Sequence, residues 1–580
     1  MTLGLVDWAV IAAYFLLSIA IALAYHRRAS RSAEEFFLSG RSVPWWLAGT
    51  SMVATTFAAD TPLAVTGLTV KYGIAGNWIW WSMVMSGMLT VIFYARLWRR
   101  AGVMTDAEFA ELRYSGRPAR FLRAFRACYL GLAINSIIIG WVTAAMVKIL
   151  GLTLGVGRWQ AVVALFLITG FYSAISGLWG VIVTDFFQFI LAMTGCIALA
   201  YFALNAVGGM SGLLAALHTR FPDDAPLKLV PDLDSAWMPA LTFFAYVAVN
   251  WWASWYPGAE PGGGGYVAQR IMSARSERDA LLAALWFNIA HYAIRPWPWI
   301  IVALASMVLY PGLADPESGF VKVMVDHLPP FWRGFLLAAF FAAYMSTIST
   351  QLNCGASYLV NDVYRRFYSP SRTQAHYANV GRVATLLMMA VSGVVTLYIG
   401  TVEGAWKFLL AIGAGTGLVY LLRWYWWRIN AWSEVSAMAS ALVVSLLAQG
   451  PLGLSAEAPR DFAILLMVTT AITTVVWLAV TYVTAPESPE VLRAFYARVR
   501  PGGPGWRSVS PDAGRDARIG GGLVQWAMGC AVVYLGLFGI GGLVLGRTGQ
   551  GTAAVAVAAA LTWLLVRSTG ADHPQSRVVS

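Results

Sequence analysis

The sequence has few charged residues for its length. Asp, Glu, Lys and Arg make up 12% of the 580 residues, whereas a soluble domain has about 25%. Residues of the set AVILMFWYC make up 59%. Too little polar surface is left to cover a globule of this size in water, so the composition argues against a soluble enzyme and predicts a polytopic membrane protein.

Cysteine and histidine are also scarce. The four cysteines, Cys128, Cys196, Cys354 and Cys530, lie in or beside apolar stretches without any CxxC pair, which supports neither a disulfide framework nor a zinc site. Of six histidines only His291 falls within an apolar run, and no metal or nucleophile motif accompanies it. We therefore do not expect an enzyme.

Long apolar runs are what the sequence has instead. A run of about 20 residues can cross a bilayer core of about 30 Å. The sequence has fifteen apolar runs of this kind. Fourteen spans are an alternative count, because the boundary between 405–425 and 432–449 is not sharply defined. The first run lacks the basic start and cleavage site of a signal peptide, so we expect it to be retained. The fifteen predicted spans are 6–25, 44–70, 76–98, 121–150, 159–177, 180–205, 239–257, 281–310, 331–361, 380–402, 405–425, 432–449, 462–484, 522–545 and 552–568.

The net charge of +12 indicates orientation rather than a nucleic-acid partner. With fifteen spans, all strongly basic loops fall on one side, and the acidic loops around 223–234 and 315–326 fall on the other. Because positive loops stay in the cytoplasm, we predict a multi-pass cell-membrane protein with its N-terminus outside and its C-terminus inside. The basic loops cover 96–126, 270–278, 365–382 and 493–518.

One acidic residue lies inside an apolar run. Asp185 stands in GLWGVIVTDFFQFILAMTG, where a charge costs at least about 2.5–3.5 kcal/mol and marks a functional candidate. We interpret it as a cation ligand. The alternative is a span boundary at which Asp185 touches water.

A second polar cluster lies in FFAAYMSTISTQLNCGASYLVNDVY. Ser346, Thr347, Ser349 and Thr350 are four hydroxyls within five positions, and Ser346, Ser349 and Thr350 share one helix face. Such oxygens suit Na⁺. The alternative is that they bond back to their own helix or join helices.

Two apolar segments have the pattern of broken helices. The run 44–70 carries Thr55, Thr56 and Asp60-Thr61-Pro62 in its middle, and Pro257, Pro261 and four glycines follow the run from 239. Irregular backbone at membrane depth survives only where protein or a cavity satisfies it, and paired breaks in two halves indicate the central site of a transporter. For the glycines, an ordinary exposed loop is the alternative.

Four stretches resemble the sodium:solute symporter family, which includes the sodium–glucose, sodium–proline and sodium–sialic acid cotransporters. They are FFLSGRSVPWWLAGTSMVATTFAAD, SGLWGVIVTDFFQF, GGYVAQRIMSARSERDA and FFAAYMSTISTQLNCGASYLVNDVY, in that order between residues 34 and 364. The resemblance implies an all-α fold with a LeuT-like core of two inverted five-helix repeats. Its predicted parts are a leading helix and cytoplasmic loop (1–43), the first repeat (44–205), an extracellular loop (206–238), the second repeat (239–425) and additional helices (426–580) with a linker at 485–521.

The resemblance also implies sodium ligands. A first sodium ion would use the carbonyls of Ala54, Phe57 and Ala343 and the hydroxyls of Ser346 and Thr347. Some members bind a second ion, and the matching positions here are Asp185, Ser346, Ser349 and Thr350. We therefore predict Na⁺ as the coupling ion, with one site and capacity for a second.

The solute site departs from that of sugar-transporting relatives. Asp60-Thr61 stands where they have Gln after the acidic residue, and PGAEPGGGG replaces the region of an Asn. Asp60, Thr61, Glu260 and Arg295 form a mixed-charge set that suits a polar or zwitterionic solute. Arg295 could equally be an interfacial residue, and Lys148, Glu403 and Lys407 are expected to be anchors that snorkel from span ends.

The predicted function is sodium-coupled import of a small polar solute (a sugar, amino acid or organic acid) by alternating access. The expected partners are that solute and the lipid bilayer, with no nucleic acid and no evident obligate protein partner. A proton-coupled symporter of the same fold is an alternative, because Asp185 could serve either ion. A transporter-derived sensor or binding protein is another, although we expect no output domain in a chain of 580 residues.

Overall fold

The computed structural model describes residues 3–29, 35, 38–175, 178–253, 261–514 and 519–570. Within these residues the fold is helical, with one isolated parallel bridge between Val43 and Ala274. A short helix, Phe109–Arg113, lies between the fourth and fifth of the longer helices. In chain order the longer helices are α1 (Leu5–Ala29), α2 (Trp45–Thr56), α3 (Asp60–Tyr72), α4 (Ile74–Ala101), α5 (Gly116–Leu154), α6 (Arg158–Ile175), α7 (Leu178–Ala206), α8 (Gly209–Arg220), α9 (Ala240–Ala248), α10 (Gly265–Ser273), α11 (Glu277–Leu309), α12 (Gly319–His327), α13 (Trp332–Tyr368), α14 (Gln374–Tyr398), α15 (Val402–Gly413), α16 (Gly417–Tyr425), α17 (Ala431–Gln449), α18 (Pro459–Val483), α19 (Pro489–Val499), α20 (Ile519–Val544) and α21 (Thr548–Gly570).

Eleven helices of the described residues are long and apolar enough to cross a membrane. The pair α15 and α16 is bent by 49° at its break, and α6 contributes a shorter apolar stretch, Arg158–Gly170. The interrupted helices α2–α3 and α9–α10 fall outside this group. The fold class is confirmed, whereas the count of fifteen spans stays a prediction.

The first predicted break is present between α2 and α3. Phe57 leaves helical geometry with φ −91° and ψ 70°, and Asp60 begins α3 with Pro62 in its first turn. Proline lacks the N–H that would continue α2 but fits the first turn of a new helix. The sequence Asp-Thr-Pro therefore ends one helix and starts another.

The second break precedes α10. The helix α9 ends at Ala248, a 3₁₀ turn covers Asn250–Trp252, and residues 254–260, which include Glu260, lie outside the described part. Gly262 and Gly263 have φ of 84° and 86°, a region that favours glycine. A Cβ atom on Gly263 would lie 3.1 Å from Thr90 and 3.2 Å from Trp98, so small residues let this turn approach α4.

The helix α2 lies at the centre of the packing. It contacts α7, α11 and α13, and α7 also packs along α13. The additional helices form two pairs, α17 with α18 and α20 with α21. Of these, α20 packs on α4 and on the middle of α11. The predicted extracellular loop 206–238 contains the helix α8.

Loops of like charge gather at opposite ends of the helices. At the end that we call the basic end, Arg99 donates to the carbonyl of Ala274 at 2.8 Å and Arg366 pairs with Glu111 at 2.9 Å. At the opposite, acidic end, the indole of Trp78 donates to the carbonyl of Leu229 at 2.9 Å. The basic loops thus share one side, as the sequence predicts. Which end faces the cytoplasm stays a prediction.

The predicted linker 485–521 is packed onto the basic end over its described part. The helix α19 buries Phe495, and the indole of Trp506 donates to the carbonyl of Trp424 at 2.7 Å. The rings of Phe495 and Trp506 stack with centroids 5.5 Å apart. The segment therefore covers the helix ends at this side of the molecule.

Candidate ion and solute site at the helix break

The break between α2 and α3 lies inside the protein. All described residues predicted to bind an ion or the solute are at most 5% exposed. The last four carbonyls of a helix have no partner within it and form the negative end of its dipole. At the end of α2, the N–H of Phe57 reaches the carbonyls of Val53 and Ala54 at 2.9 and 3.0 Å, which leaves acceptor capacity on this turn.

The predicted first sodium set meets where α2 touches α13. The hydroxyl of Thr347 donates to the carbonyl of Thr55 at 2.9 Å and contacts the carbonyl of Ala343 at 3.1 Å. Thr55 was not among the predicted ligands, yet it lies between Ala54 and Phe57 on the same turn. Its own hydroxyl is buried and makes no hydrogen bond within the described residues. The contact brings carbonyl and hydroxyl oxygens of two helices together, which is a suitable environment for a hard cation.

Asp185 lies beside this contact, on α7. One carboxylate oxygen accepts from the hydroxyl of Ser346 at 2.5 Å and the other from Ser51 at 2.5 Å. The guanidinium of Arg270, on α10, is 3.8 Å from the same carboxylate. Both charged side chains are fully buried. The alternative of a water-exposed Asp185 is therefore wrong, because protein surrounds it on all sides.

Arg270 changes the environment of the predicted second sodium set. It donates to the hydroxyl of Thr350 at 3.0 Å, and the hydroxyl of Ser349 donates to the carbonyl of Ser346 at 3.2 Å. Of the four predicted ligands, only Ser346 and Asp185 contact one another directly through side chains. The positive guanidinium of Arg270 already balances the carboxylate, so a sodium ion at this position would share Asp185 with Arg270.

Three of the four predicted solute residues come together at the break. The hydroxyl of Thr61 donates to the carbonyl of Thr56 at 3.1 Å and lies 3.5 Å from Asp60 Oδ1. Arg295 acts on the carboxylate of Asp60 by its charge. The Oδ2 atom of Asp60 makes no hydrogen bond of normal geometry within the described residues, and the indoles of Trp406 and Trp141 reach the carboxylate through looser contacts. The fourth residue, Glu260, lies outside the described residues.

Arg295 is an interior residue of the site rather than an interfacial anchor. It is 1% exposed, and its guanidinium donates to the hydroxyl of Thr56 at 3.0 Å and to the carbonyl of Val53 at 3.3 Å. Its charge lies 5.3 Å from the ring of Trp299, and Trp299 stacks on Phe57 with centroids 4.9 Å apart. Arg295 therefore belongs to the break.

Glu403 and Lys407 are buried and do not snorkel, which corrects the sequence interpretation of these two residues, whereas the side chain of Lys148 is 24% exposed. Glu403 accepts from Lys71 of α3 at 2.7 Å and from Lys407 at 2.8 Å. Lys148 pairs with Glu317 at 2.9 Å. The side chain of Lys407 is only 3% exposed, because acidic partners are available inside the protein at this end. These pairs hold α3 against α15 at the acidic end.

A second buried network lies towards the basic end. Glu434 pairs with Arg126 at 3.4 Å and with Arg423 at 3.1 Å and accepts from Tyr114 at 2.6 Å. Asp106 accepts from Tyr358, from Arg126 at 3.4 Å and from the backbone N–H of Gly265, which begins α10, at 3.1 Å. Thr55 was predicted as part of the break but not as a ligand. No role in the site was predicted from the sequence for Ser51, Asp106, Arg126, Arg270, Arg423 and Glu434.

Comparisons with known proteins agree on one family. Residues 36–443 match the description "Sodium:solute symporter family". The sodium/glucose cotransporter of Vibrio parahaemolyticus is 23% identical over 77% of this chain and 85% of its own length. The sodium/glucose cotransporter 4 of Danio rerio is 24% identical over 77% of this chain and 72% of its own length.

A solved structure shares the fold. It is the substrate-bound, outward-open state of a Na⁺-coupled sialic acid symporter, which superposes with a TM-score of 0.67 over 84% of this chain and 99% of that chain. At 19% sequence identity the likeness concerns the arrangement of helices alone. It agrees with the LeuT-like core that the sequence predicts.

Proposed function

Because the chain belongs to the sodium:solute symporter family and is a sodium-coupled membrane transporter rather than an enzyme, we propose that sodium and solute both bind at the break between α2 and α3. The observation that carries the proposal is the contact of Thr347 with the carbonyl of Thr55 at 2.9 Å. It joins the open end of α2 to the hydroxyl-rich face of α13. Both components needed for a sodium site are therefore adjacent.

The first sodium ion in this proposal takes five oxygen ligands. They are the carbonyls of Ala54, Phe57 and Ala343 and the hydroxyls of Ser346 and Thr347. The carbonyls at the end of α2 attract a cation because they form the negative pole of that half-helix. Support comes from the burial of all five residues, at most 4% exposed, which strengthens their electrostatic action on an ion.

A second sodium ion would use Asp185, Ser346, Ser349 and Thr350. The guanidinium of Arg270 contacts both Asp185 and Thr350, so this ion would have to share its ligands with a positive charge that is already in place. One ion per cycle therefore needs less rearrangement than two. The proton-coupled alternative also depends on Asp185, and imposed ion gradients separate the two.

The solute in this proposal contacts Asp60, Thr61 and Arg295, with Glu260 as a further candidate. The carboxylate of Asp60, reached by the indoles of Trp406 and Trp141 only through looser contacts, favours a solute that donates a hydrogen bond of better geometry, because a buried acceptor gains from full hydrogen bonding. The opposite charges of Asp60 and Arg295 balance each other, which suits a neutral or zwitterionic molecule. Small polar solutes such as sugars and amino acids meet this description.

The cycle proceeds by alternating access. Sodium favours a state with a formed solute site, the loaded protein closes, and the bundle then opens at the other end. With the basic end in the cytoplasm and the N-terminus outside the cell membrane, the membrane potential drives sodium inward with about 2.3 kcal/mol per charge per 100 mV. The bundle rocks against the scaffold of the predicted repeats 44–205 and 239–425 in this cycle.

Uptake into proteoliposomes tests the proposal. A panel of sugars, amino acids and organic acids is offered under an imposed sodium or proton gradient. Thr347→Ala should lose sodium-stimulated uptake, because it removes a ligand and the bond to Thr55. The matched control is Thr153→Ala, since Thr153 is equally buried but bonds to its own helix at Ile149. If both variants keep sodium-stimulated uptake with the wild-type half-saturating sodium concentration, the sodium site is wrong.

A further inference from the structure

His291 and Arg295 approach the end of α2 from an irregular part of α11. The segment Ile289–Ile294 is wound as a π-helix, a rare geometry that often occurs at functional sites. His291 is 2% exposed and is held between Phe287, Tyr292 and Trp80, with ring centroids at 5.1, 4.3 and 5.7 Å. Its imidazole therefore has a defined position.

The hydrogen bonds assign the protons of this imidazole. Arg295 lies 3.2 Å from His291 Nε2, and a guanidinium can only donate. The Nε2 atom must then accept, so Nδ1 carries the hydrogen of a neutral ring. Nδ1 lies 3.0 Å from the hydroxyl of Thr56 and donates to it. A protonated imidazole would instead direct an N–H at the guanidinium.

Thr56 links His291 and Arg295 to the backbone of α2. Its hydroxyl also accepts from Arg295 at 3.0 Å and donates to the carbonyl of Val53 at 2.8 Å. Arg295 itself donates to that carbonyl at 3.3 Å and to the carbonyl of His291 at 3.2 Å. The last turn of α2 is thus tied to α11 on one side, while Thr347 ties it to α13 on the other.

We propose that His291 is a positioning residue, which with Arg295 and Thr56 holds the last turn of α2 in the shape that binds sodium. This inference rests on the proposed sodium site at Ala54 and Phe57. The turn ends a helix, so no following turn fixes its carbonyls and tertiary contacts must do so. A turn released from α11 samples other conformations, and sodium binding must then supply the energy to order it.

His291 does not contact the solute in this proposal. Its ring nitrogens are both engaged by Thr56 and Arg295, so it acts on sodium affinity and not through contact with the solute. Because the ring is neutral, its replacement by another neutral side chain leaves the charge of the site unchanged. His291→Leu therefore tests position, whereas a change of Arg295 would also alter the electrostatic potential.

The experiment compares full-length wild type, His291→Leu and His291→Asn in proteoliposomes, with a solute identified from the panel. Asn places an N–H near the position of Nδ1 and keeps the bond to Thr56. His291→Leu should raise the half-saturating sodium concentration about tenfold, which corresponds to about 1.4 kcal/mol, with the maximal rate at saturating sodium within about twofold. His291→Asn should recover most of the sodium affinity.

Sodium binding without solute gives an independent measurement. The increase in melting temperature of purified protein on adding sodium, against potassium as control, should require about tenfold more sodium in His291→Leu. If Thr347→Ala loses the response and His291→Leu keeps the wild-type midpoint, the positioning role is wrong and the sodium site stands. If Thr347→Ala also keeps the wild-type midpoint, the sodium site itself is wrong. An equal loss of sodium affinity in the Leu and Asn variants would overturn the role of the hydrogen bond to Thr56. Failure of both variants to fold would overturn the positioning role, because His291 would then be needed for the fold itself.

Discussion

The charge pair at the acidic end gives a direct test of how the site is closed. Glu403 joins Lys71, at the end of α3, to Lys407 of α15. The helix α3 runs from the break to the acidic end and packs on α15, so we expect a path from the break to this end to separate α3 from α15. Glu403→Gln keeps the shape of the side chain but removes its charge and leaves two lysines facing each other. We expect this variant to favour the state that is open at the acidic end.

The free-energy cost of this change follows from how exposed Lys407 and Lys71, the two partners of Glu403, are. Lys407 and Glu403 have side chains only 3% and 9% exposed, and removing one partner of such a buried pair costs about 3–5 kcal/mol. The side chain of Lys71 is 36% exposed, so its pair adds only about 0–1 kcal/mol. Because Lys407 and Glu403 lie on the same helix, the larger cost falls on the closed arrangement only as far as opening hydrates Lys407. With Lys407 fully hydrated on opening, the closed arrangement should lose about 3 kcal/mol, a shift of roughly a hundredfold in population. In the open arrangement water solvates both lysines.

Hydrogen–deuterium exchange of the purified protein in nanodiscs measures this opening. In Glu403→Gln, peptides from α3 and α15 should exchange faster than in wild type, because opening exposes their backbone amides. Peptides from 489–513 at the basic end should be unchanged. The control is Asp232→Asn, which breaks an exposed pair with Lys228 at the same end. Unchanged exchange in α3 and α15, or faster exchange at the basic end instead, would refute the reasoning.

Three further predictions concern stability. Glu434→Ala removes the buried carboxylate that Arg126 and Arg423 share, although Arg126 keeps Asp106, and should lower the unfolding free energy by about 3–5 kcal/mol, seen as a lower melting temperature; an unchanged value would contradict the network. Gly541→Leu would place Cβ 2.0 Å from the ring of Trp297 and should cost about 1–3 kcal/mol by overpacking, whereas Gly549→Leu meets nothing within 4 Å and should not. Although burial opposes its ionisation, hydrogen bonds from two arginines hold the pKa of Glu111 below its usual 4.5. Its contribution to stability is therefore present above pH 4.5 and is lost as the pH falls through the lowered pKa. The difference in melting temperature between wild type and Glu111→Gln should shrink on acidification. A difference that stays constant with pH would contradict this.

Much of the site could be predicted because expensive residues stand out in an apolar sequence. Asp185 and Ser346 are 161 positions apart yet touch in the structure, and the break at Asp60 lies where a proline follows two polar residues. Arg270 could not be predicted as their neighbour. It stands near Arg275 and Arg278 in the sequence, so it was interpreted as part of a basic loop. In the structure α10 carries it back into the interior beside Asp185, an outcome that depends on how the half-helix folds in.

The pairing of the lysines near the span ends was harder to predict for a different reason. A lysine near a span end can reach water along its own helix, and for an isolated helix that is the favourable outcome. Lys407 instead finds Glu403 one turn away, and Lys148 finds Glu317 on a separate loop. The first pair is visible in the sequence spacing. The second is not, because it requires the loop before α12 to fold over the end of α5.

The two half-helices that follow the breaks are each held by a different network. Lys71 ties α3 to Glu403 of α15, and the N–H of Gly265 ties α10 to Asp106, which in turn contacts Tyr358 of α13. These networks share no residue, and they lie towards opposite ends of the molecule. One can therefore separate while the other stays intact, which is the condition that alternating access imposes. Both are formed here, and the described binding residues are at most 5% exposed. Weakening the Glu403 network should favour one opening and weakening the Asp106 network the other.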